Sequence, residues 1–203
     1  GEHRDREEAE ELADRLEGIV EAFGFPVLTE YPAEEYLEMN LQRSTAGAVC
    51  NAAGIPAFTA EFGGHSVVSD DIRVAGVAGI YGVMDQLGML DGWPDDIPEP
   101  GQFEAPVGYP VRRFRGPRTE TAGIVRHRVE AGDVVEEGEV VADILSANGE
   151  KLDQVKSDHD GFVIGAREGL AVYEGDPVLS LAARDDGDLV VSRGTGATDG
   201  DEE

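Results

Sequence analysis

Residues 123–181 repeat themselves, and that repeat narrows the fold more than any other feature of the chain. The stretch Gly123-Ile-Val…Gly132-Asp-Val-Val-Glu-Glu-Gly138-Glu-Val-Val-Ala-Asp-Ile144 returns as Gly161-Phe-Val…Gly169-Leu-Ala-Val-Tyr-Glu-Gly175-Asp-Pro-Val-Leu-Ser-Leu181. Each half carries a hydrophobic strand, a Val-x-x-Gly-x-x-Val turn and a second strand. Neither half can bury its apolar face alone, so the two are expected to close on each other into a small flattened barrel. The same grammar of short strands and glycine-containing turns extends over residues 107–183.

The pattern resembles the biotinyl/lipoyl-type barrel-sandwich hybrid, with Ser157-Asp-His-Asp160-Gly161-Phe-Val where such domains place a glycine-containing turn into a strand. A carrier of that type displays one lysine at the tip of the hairpin between its halves. That hairpin reads Leu145-Ser-Ala-Asn-Gly-Glu-Lys151-Leu-Asp-Gln. Asn148-Gly149 makes the turn itself and leaves Lys151 off the apex, and the Met-Lys-Met or Asp-Lys-Ala setting is absent. The barrel is therefore read as a structural element or a lid. A non-catalytic binding or carrier module, modified at Lys151, is the rival expectation.

Residues 1–97 follow a different grammar. Leu12, Ala13, Leu16, Ile19, Val20 and Phe23 recur at helical spacing and predict a helix over residues 5–22, stopped by Gly24. Residues 25–29 read as a strand and residues 35–39 as a second, short one. Ser44 or Thr45 caps a small-residue helix that Gly54 ends. A further helix starts at Ser69-Asp70-Asp71, where oxygen acceptors and negative charge suit the free amides. Its expected buried stripe is Val74, Val77, Ile80, Tyr81, Met84 and Leu87. Helices and strands alternate in an α/β order that needs more strands than this segment holds, so an incomplete sheet is expected. Residues 91–105 are rich in Pro and Asp and mark a boundary, with Trp93 as a packing anchor. The expected divisions are an α/β part at 1–97, a linker at 98–106, the barrel at 107–183, and an acidic, disordered tail at 184–203 with residues 189–191 as a last strand at most.

Within the α/β part, Gly54-Ile-Pro-Ala-Phe-Thr-Ala-Glu61-Phe-Gly63-Gly64 reads as a helix stop, a short buried strand at residues 57–60, and a carboxylate beside flexible positions. Glu is almost never buried without a partner or a task. Glu61 is the candidate functional residue on these grounds.

Charge excludes several partners. Asp and Glu number 43 against 16 Lys and Arg, for a net charge of -27. Such a chain repels nucleic acid and anionic membranes. Acid in excess with only two lysines, Lys151 and Lys156, reads as adaptation to a high-salt cytoplasm of the halophilic archaeal kind, where salt screens self-repulsion. Cys50 stands alone, so no disulfide forms within the chain and a cytoplasmic setting is favoured. It sits in a run of small residues and reads as a small buried hydrophobe. No signal peptide is evident, and no apolar run approaches the roughly 20 residues of a membrane span.

Three segments together resemble the succinylglutamate desuccinylase/aspartoacylase family. They are Ala53-Gly-Ile-Pro-Ala-Phe-Thr-Ala-Glu61-Phe-Gly-Gly64, the helix end Val83-Met-Asp-Gln-Leu-Gly-Met-Leu90, and Val129-Glu-Ala-Gly-Asp-Val-Val-Glu-Glu-Gly138 in the barrel. The resemblance covers roughly residues 8–183. It implies a zinc-carboxypeptidase-like α/β sheet followed by the barrel-sandwich-hybrid-like domain, and hydrolysis of the amide of an N-acyl amino acid or a related acyl bond. It implies one zinc, held by two His and one Glu, that polarises the scissile carbonyl and acidifies a water. Glu61 matches the carboxylate that takes the water's proton and passes it to the leaving amine.

An acidic substrate would need arginine clamps, for which Arg43 is the nearby candidate, and His65 would line the site. The family's metal ligands belong to the part before the first helix here. The four histidines are His3, His65, His127 and His159. His127 and His159 fall in the barrel and read as surface residues. The chain is accordingly expected to be the C-terminal portion of such an enzyme, with the base but without the zinc-binding half, and to hydrolyse little alone. A purely structural reading expects homo-oligomerisation through the barrel.

Overall fold

The computed structural model describes residues 5–62, 67–101, 103–185, 187 and 190–191. A helical part and a β-sandwich make up the molecule. Helix α1 (Arg6–Phe23) begins where the Asp5 carboxylate accepts the Glu8 amide at 2.9 Å and ends at Gly24, in the left-handed region at φ 80°. Helix α2 (Ala33–Glu38) follows, then a 3-10 turn (Leu41–Arg43), then α3 (Thr45–Ala48). That last helix widens into a π-type turn (Val49–Ala53), closed by Gly54 at φ 69°. Helix α4 (Asp70–Gln86) packs on α1.

Three expectations for this part are corrected. Residues 35–39 lie mostly in α2, because Pro32 supplies a fixed turn into a helix whose first residues are acidic. No α/β sheet forms in this part among the described residues: residues 25–29 and 57–60 are extended, but of these only Thr29 makes a bridge, to Arg112 of the sandwich. The buried face of α4 is built from Gly76, Ala78, Gly79 and Gly82, whereas Ile80 and Leu87 are exposed. Glycine is needed there because neighbours occupy the space of a side chain. A Cβ at Gly79 would lie 2.8 Å from the Phe23 carbonyl oxygen, and one at Gly82 would lie 2.2 Å from that of Ala22.

Around this helix pair gather Phe23, Phe25, Phe58, Phe62 and Phe103, with ring centroids 5.0 to 6.3 Å apart in edge-on or tilted contacts. Trp93 packs edge-on to Tyr81 and donates its indole N–H to the Ile97 carbonyl at 2.7 Å, anchoring the loop after α4.

Among the described residues the sandwich has eight strands: β1 (Val111–Phe114), β2 (Gly123–His127), β3 (Val134–Val135), β4 (Val140–Leu145), β5 (Lys151–Lys156), β6 (Gly161–Ala166), β7 (Ala171–Val172) and β8 (Leu179–Arg184). They form two four-stranded antiparallel sheets, ordered β1-β8-β6-β3 and β5-β4-β2-β7. The expected closed barrel is thus two sheets sharing one core. Val125, Val141, Ile144 and Val155 of one sheet meet Val135, Val163 and Leu181 of the other there, all buried. Each such side chain contributes about 1.5–3 kcal/mol when fully removed from water.

The sequence repeat is realised as an exchange. Strand β3 of the first half pairs with β6 of the second, and β7 of the second pairs with β2 of the first. Equivalent positions repeat their hydrogen bonds. The buried hydroxyls of Thr119 and Ser157 donate to the carbonyls of Thr121 and His159, at 2.8 and 2.7 Å. Gly123 and Gly161 open the equivalent strands β2 and β6, where a Cβ would meet the carbonyl oxygens of Leu145 and Ala182 at 2.6 and 2.1 Å. The hairpin between β4 and β5 turns at Gly149 (φ 83°), and Lys151 pairs with Leu145 beside the turn.

Residues 25–31 dock onto β1. The Thr29 amide donates to the Val111 carbonyl at 3.0 Å, and the Arg113 amide donates to the Thr29 carbonyl at 2.9 Å. Leu28 packs with Val111, Phe162 and Ala182. The N-terminal His3 and most of the acidic tail lie outside the described residues; Val190 and Val191 are in no strand.

Candidate functional site

Glu61 stands where the helical part meets the sandwich. Two phenyl rings fix the extended segment that carries it. Phe58 packs 5.3 Å from Phe23, and Phe62 lies against α4 so closely that a Cβ at Gly76 would fall 2.4 Å from its ring. Between these anchors the Glu61 side chain stays 69% exposed. Its Oε1 lies 3.4 Å from Nη1 of Arg113, on β1. Arg113 also sits 6.0 Å over the Tyr31 ring, at the outer limit of a cation–π contact.

Arg112, the neighbouring residue, points elsewhere, as alternation along a strand requires. Its guanidinium donates to the carbonyls of Glu30 and Tyr31, at 2.6 and 3.2 Å, and pairs with Asp185. The Arg112 hydrogen bond holds the Asp185 carboxyl below the usual carboxylate range; the Gly187 amide adds to this and burial opposes it. Arg112 therefore ties the residue 25–31 segment to the sandwich, while Arg113 is left to meet a carboxylate.

Beside this pair opens a cleft of about 920 Å³. The helical part contributes Tyr31, Glu35 and Met39 to its walls, and the sandwich contributes Phe114, Arg115 and Arg118 among others. Glu61 and Arg113 do not line it; Tyr31 is the residue shared between cleft and pair.

The other sequence candidates are placed apart or not at all. Arg43 ends the 3-10 turn, exposed, and its guanidinium meets no partner among the described residues. His65 lies outside the described residues. His159 is exposed, its ring edge-on to Phe114 at 4.5 Å. His127 is half-buried in β2, with Nε2 3.2 Å from the Arg167 carbonyl and Nδ1 buried without a partner. It opens a His-x-x-Glu spacing, His127-Arg-Val-Glu130, which corrects the expectation that the chain holds no such pair. Among the described residues no group of three His, Cys, Asp or Glu is placed to hold a metal ion, so that spacing gathers no ligand set. Arg113 was missed by sequence reasoning because it lies 52 residues beyond Glu61; only the docking of residues 25–31 on β1 brings it near.

A charged group away from this exposed pair is fully buried. Asp143 of β4 accepts from Arg126 and Arg128, each at 2.7 Å, and from Gln154 at 3.2 Å. The Arg126 hydrogen bond, with those of Gln154 and Arg128, holds its carboxyl far below the usual range against the opposing effect of burial. Its partners are three residues of the flanking strands and their continuation, which makes this a device of the sandwich rather than of the cleft.

No protein-family model and no curated protein matches the chain. Solved structures do. A succinylglutamate desuccinylase/aspartoacylase from Rhodobacter sphaeroides superposes with a TM-score of 0.61 at 20% identity, over 86% of this chain and 51% of its own. An aspartoacylase family protein from Mesorhizobium loti gives 0.59 at 19% identity, over 90% and 50%. The product-bound ectoine utilization protein EutE from Ruegeria pomeroyi gives 0.60 at 16% identity, over 89% and 51%. No helix among the described residues is long and apolar enough to cross a membrane. The chain spans about half the length of the structures it matches, and over that half it shares their fold.

Proposed function

We propose that this chain supplies the carboxylate side of a hydrolytic site that cleaves the amide of an N-acyl amino acid. The observation that carries the reading is Glu61, held between two ring anchors at the junction of the two parts, exposed to a substrate and 3.4 Å from Arg113. Its segment matches the catalytic-Glu string of a family whose solved members share this fold. Glu61 acts as general base: its carboxylate takes a proton from the attacking water and returns it to the leaving amine, the two transfers that amide cleavage needs. Arg113 gives the site a guanidinium that can grip a carboxylate of an acidic substrate, the part first assigned to Arg43.

The zinc implied by the family resemblance finds no ligand set among the described residues. Its ligands are expected in the half of the fold that this chain does not span. Glu61→Gln tests the reading in the assembly isolated from its source cells. Amine release from N-acyl amino acids is expected to fall by about 10²–10⁴-fold, the usual contribution of a positioned general base. Unchanged release would remove Glu61 from the mechanism.

A further inference from the structure

The internal repeat relates the two sheets of the sandwich residue by residue, so their outer faces can be compared. Across the β1-β8-β6-β3 sheet, Val134, Phe162, Ala182 and Arg113 lie side by side in one row. Across the β5-β4-β2-β7 sheet the equivalent row is Ala171, Ile124, Leu145 and Lys151. The first face is covered. Leu28 packs with Phe162 and Ala182, Thr29 pairs with the outer edge of β1, and Arg113 meets the Glu61 carboxylate. Phe162 is left only 8% exposed.

The second face repeats these features in the open. Ile124, at the position of Phe162, is 39% exposed. Among the described residues β5 has a strand on one side only, and the exposed Lys151, at the position of Arg113, meets no partner. The far edge of the sheet gives an independent indication. Asp133 and Glu136 flank β3, whereas Leu170 and Tyr173 flank β7 at the equivalent places, 72% and 71% exposed. The turn does not require this change, because the Glu136 and Tyr173 amides donate alike, to the carboxylates of Glu139 at 3.1 Å and Asp176 at 2.9 Å. Large apolar side chains gathered in water mark an interaction surface.

Charge decides the kind of occupant. The two lysines of the chain, Lys151 and Lys156, stand at the two ends of β5. Antiparallel pairing of this edge with that of a second copy would set Lys151 against Lys156, and like charges placed opposite oppose pairing. The same lysines admit an acidic segment.

We infer that the outer face of the β5-β4-β2-β7 sheet is a docking site for an extended segment of a separate polypeptide, apolar and followed by a carboxylate. Its apolar side chain covers Ile124 and Leu145 as Leu28 covers Phe162 and Ala182. Its backbone lies along the open side of β5, and its carboxylate meets Lys151.

The probe is a synthetic peptide of residues 24–33, Gly24-Phe-Pro-Val-Leu-Thr-Glu-Tyr-Pro-Ala33, with photo-leucine at position 28. In the parallel register that Thr29 keeps with Arg112, its Glu30 falls beside Lys151. The peptide is titrated into the assembly isolated from source cells, and its cross-links are mapped by mass spectrometry. They are expected on β2 and β4. Ile124→Asp, at an exposed position, should weaken capture by about tenfold or more, as loss of a central apolar anchor does. A Glu30→Lys peptide should bind the wild type about tenfold more weakly and recover on Lys151→Glu, a rescue that a folding defect cannot produce. No cross-link to β2 or β4, equal affinity of the two peptides for the wild type, or a second copy of the chain seated on this face would overturn the inference.

Discussion

Single residues divide into those that hold the molecule and those left over for chemistry. Arg112 is consumed by two carbonyls and Asp185, while Arg113 meets the exposed Glu61. Asp143 is the clearest structural charge. Its folded-state pKa lies below the unfolded value of about 3.9, so it contributes stability above that pH and loses the contribution as pH falls through the folded value. Lowering the pH also relieves self-repulsion in a chain of net charge -27. The difference between wild type and Asp143→Asn is therefore the informative quantity. In urea titrations the variant is expected to be less stable at pH 7, with the gap closing as the pH is lowered below about 4. A gap independent of pH would contradict the assignment. Glu61 was singled out in the sequence as a candidate because a carboxylate followed a short apolar run and preceded two glycines. Arg113 and Asp143 were not, since the partners of each are set by strand pairing and no local pattern records it.

Elements were legible where one periodicity ruled. The stripe of α1 and the Gly24 stop survive intact in the structure, and the repeat of residues 123–181 became two exchanged halves. The exchange escaped the sequence reading, because a repeat fixes what each half contains and not which half its short strand joins. Helix α4 was located, but two residues of its expected stripe face outward. Hydrophobicity favoured Ile80 and Leu87 for the interior, whereas close approach of two backbones selected Gly79 and Gly82. The strands expected at residues 25–29 and 57–60 failed for lack of neighbours, as a strand is stable only beside another. Gly82→Ala tests the helix contact. Its Cβ would lie 2.2 Å from a backbone oxygen that cannot rotate away, so α1 and α4 must separate. The expected cost is about 1–3 kcal/mol in denaturant unfolding, as for other overpacked cores. No loss of stability would show that the helices do not approach as described.

At the scale of the molecule, a closed sandwich is joined to a helical layer with open strands. The sandwich buries its own core and repeats its own hydrogen bonds, whereas the helical layer leaves apolar side chains and extended backbone uncovered. This asymmetry suits a chain that matches half of a longer fold. It also bears on the metal. Elemental analysis of the 203-residue chain after dialysis at high salt is expected to find no stoichiometric zinc. One tightly held zinc per chain would mean that His3 or His65, outside the described residues, joins a site with other ligands. The central claim is that Glu61 is the base of an amide hydrolase. Its most direct test compares kcat for amine release from an N-acyl amino acid between the wild-type assembly and Glu61→Gln, with zinc content measured in both. The account predicts a fall of about 10²–10⁴-fold at equal zinc content. Equal kcat in the two proteins would contradict it.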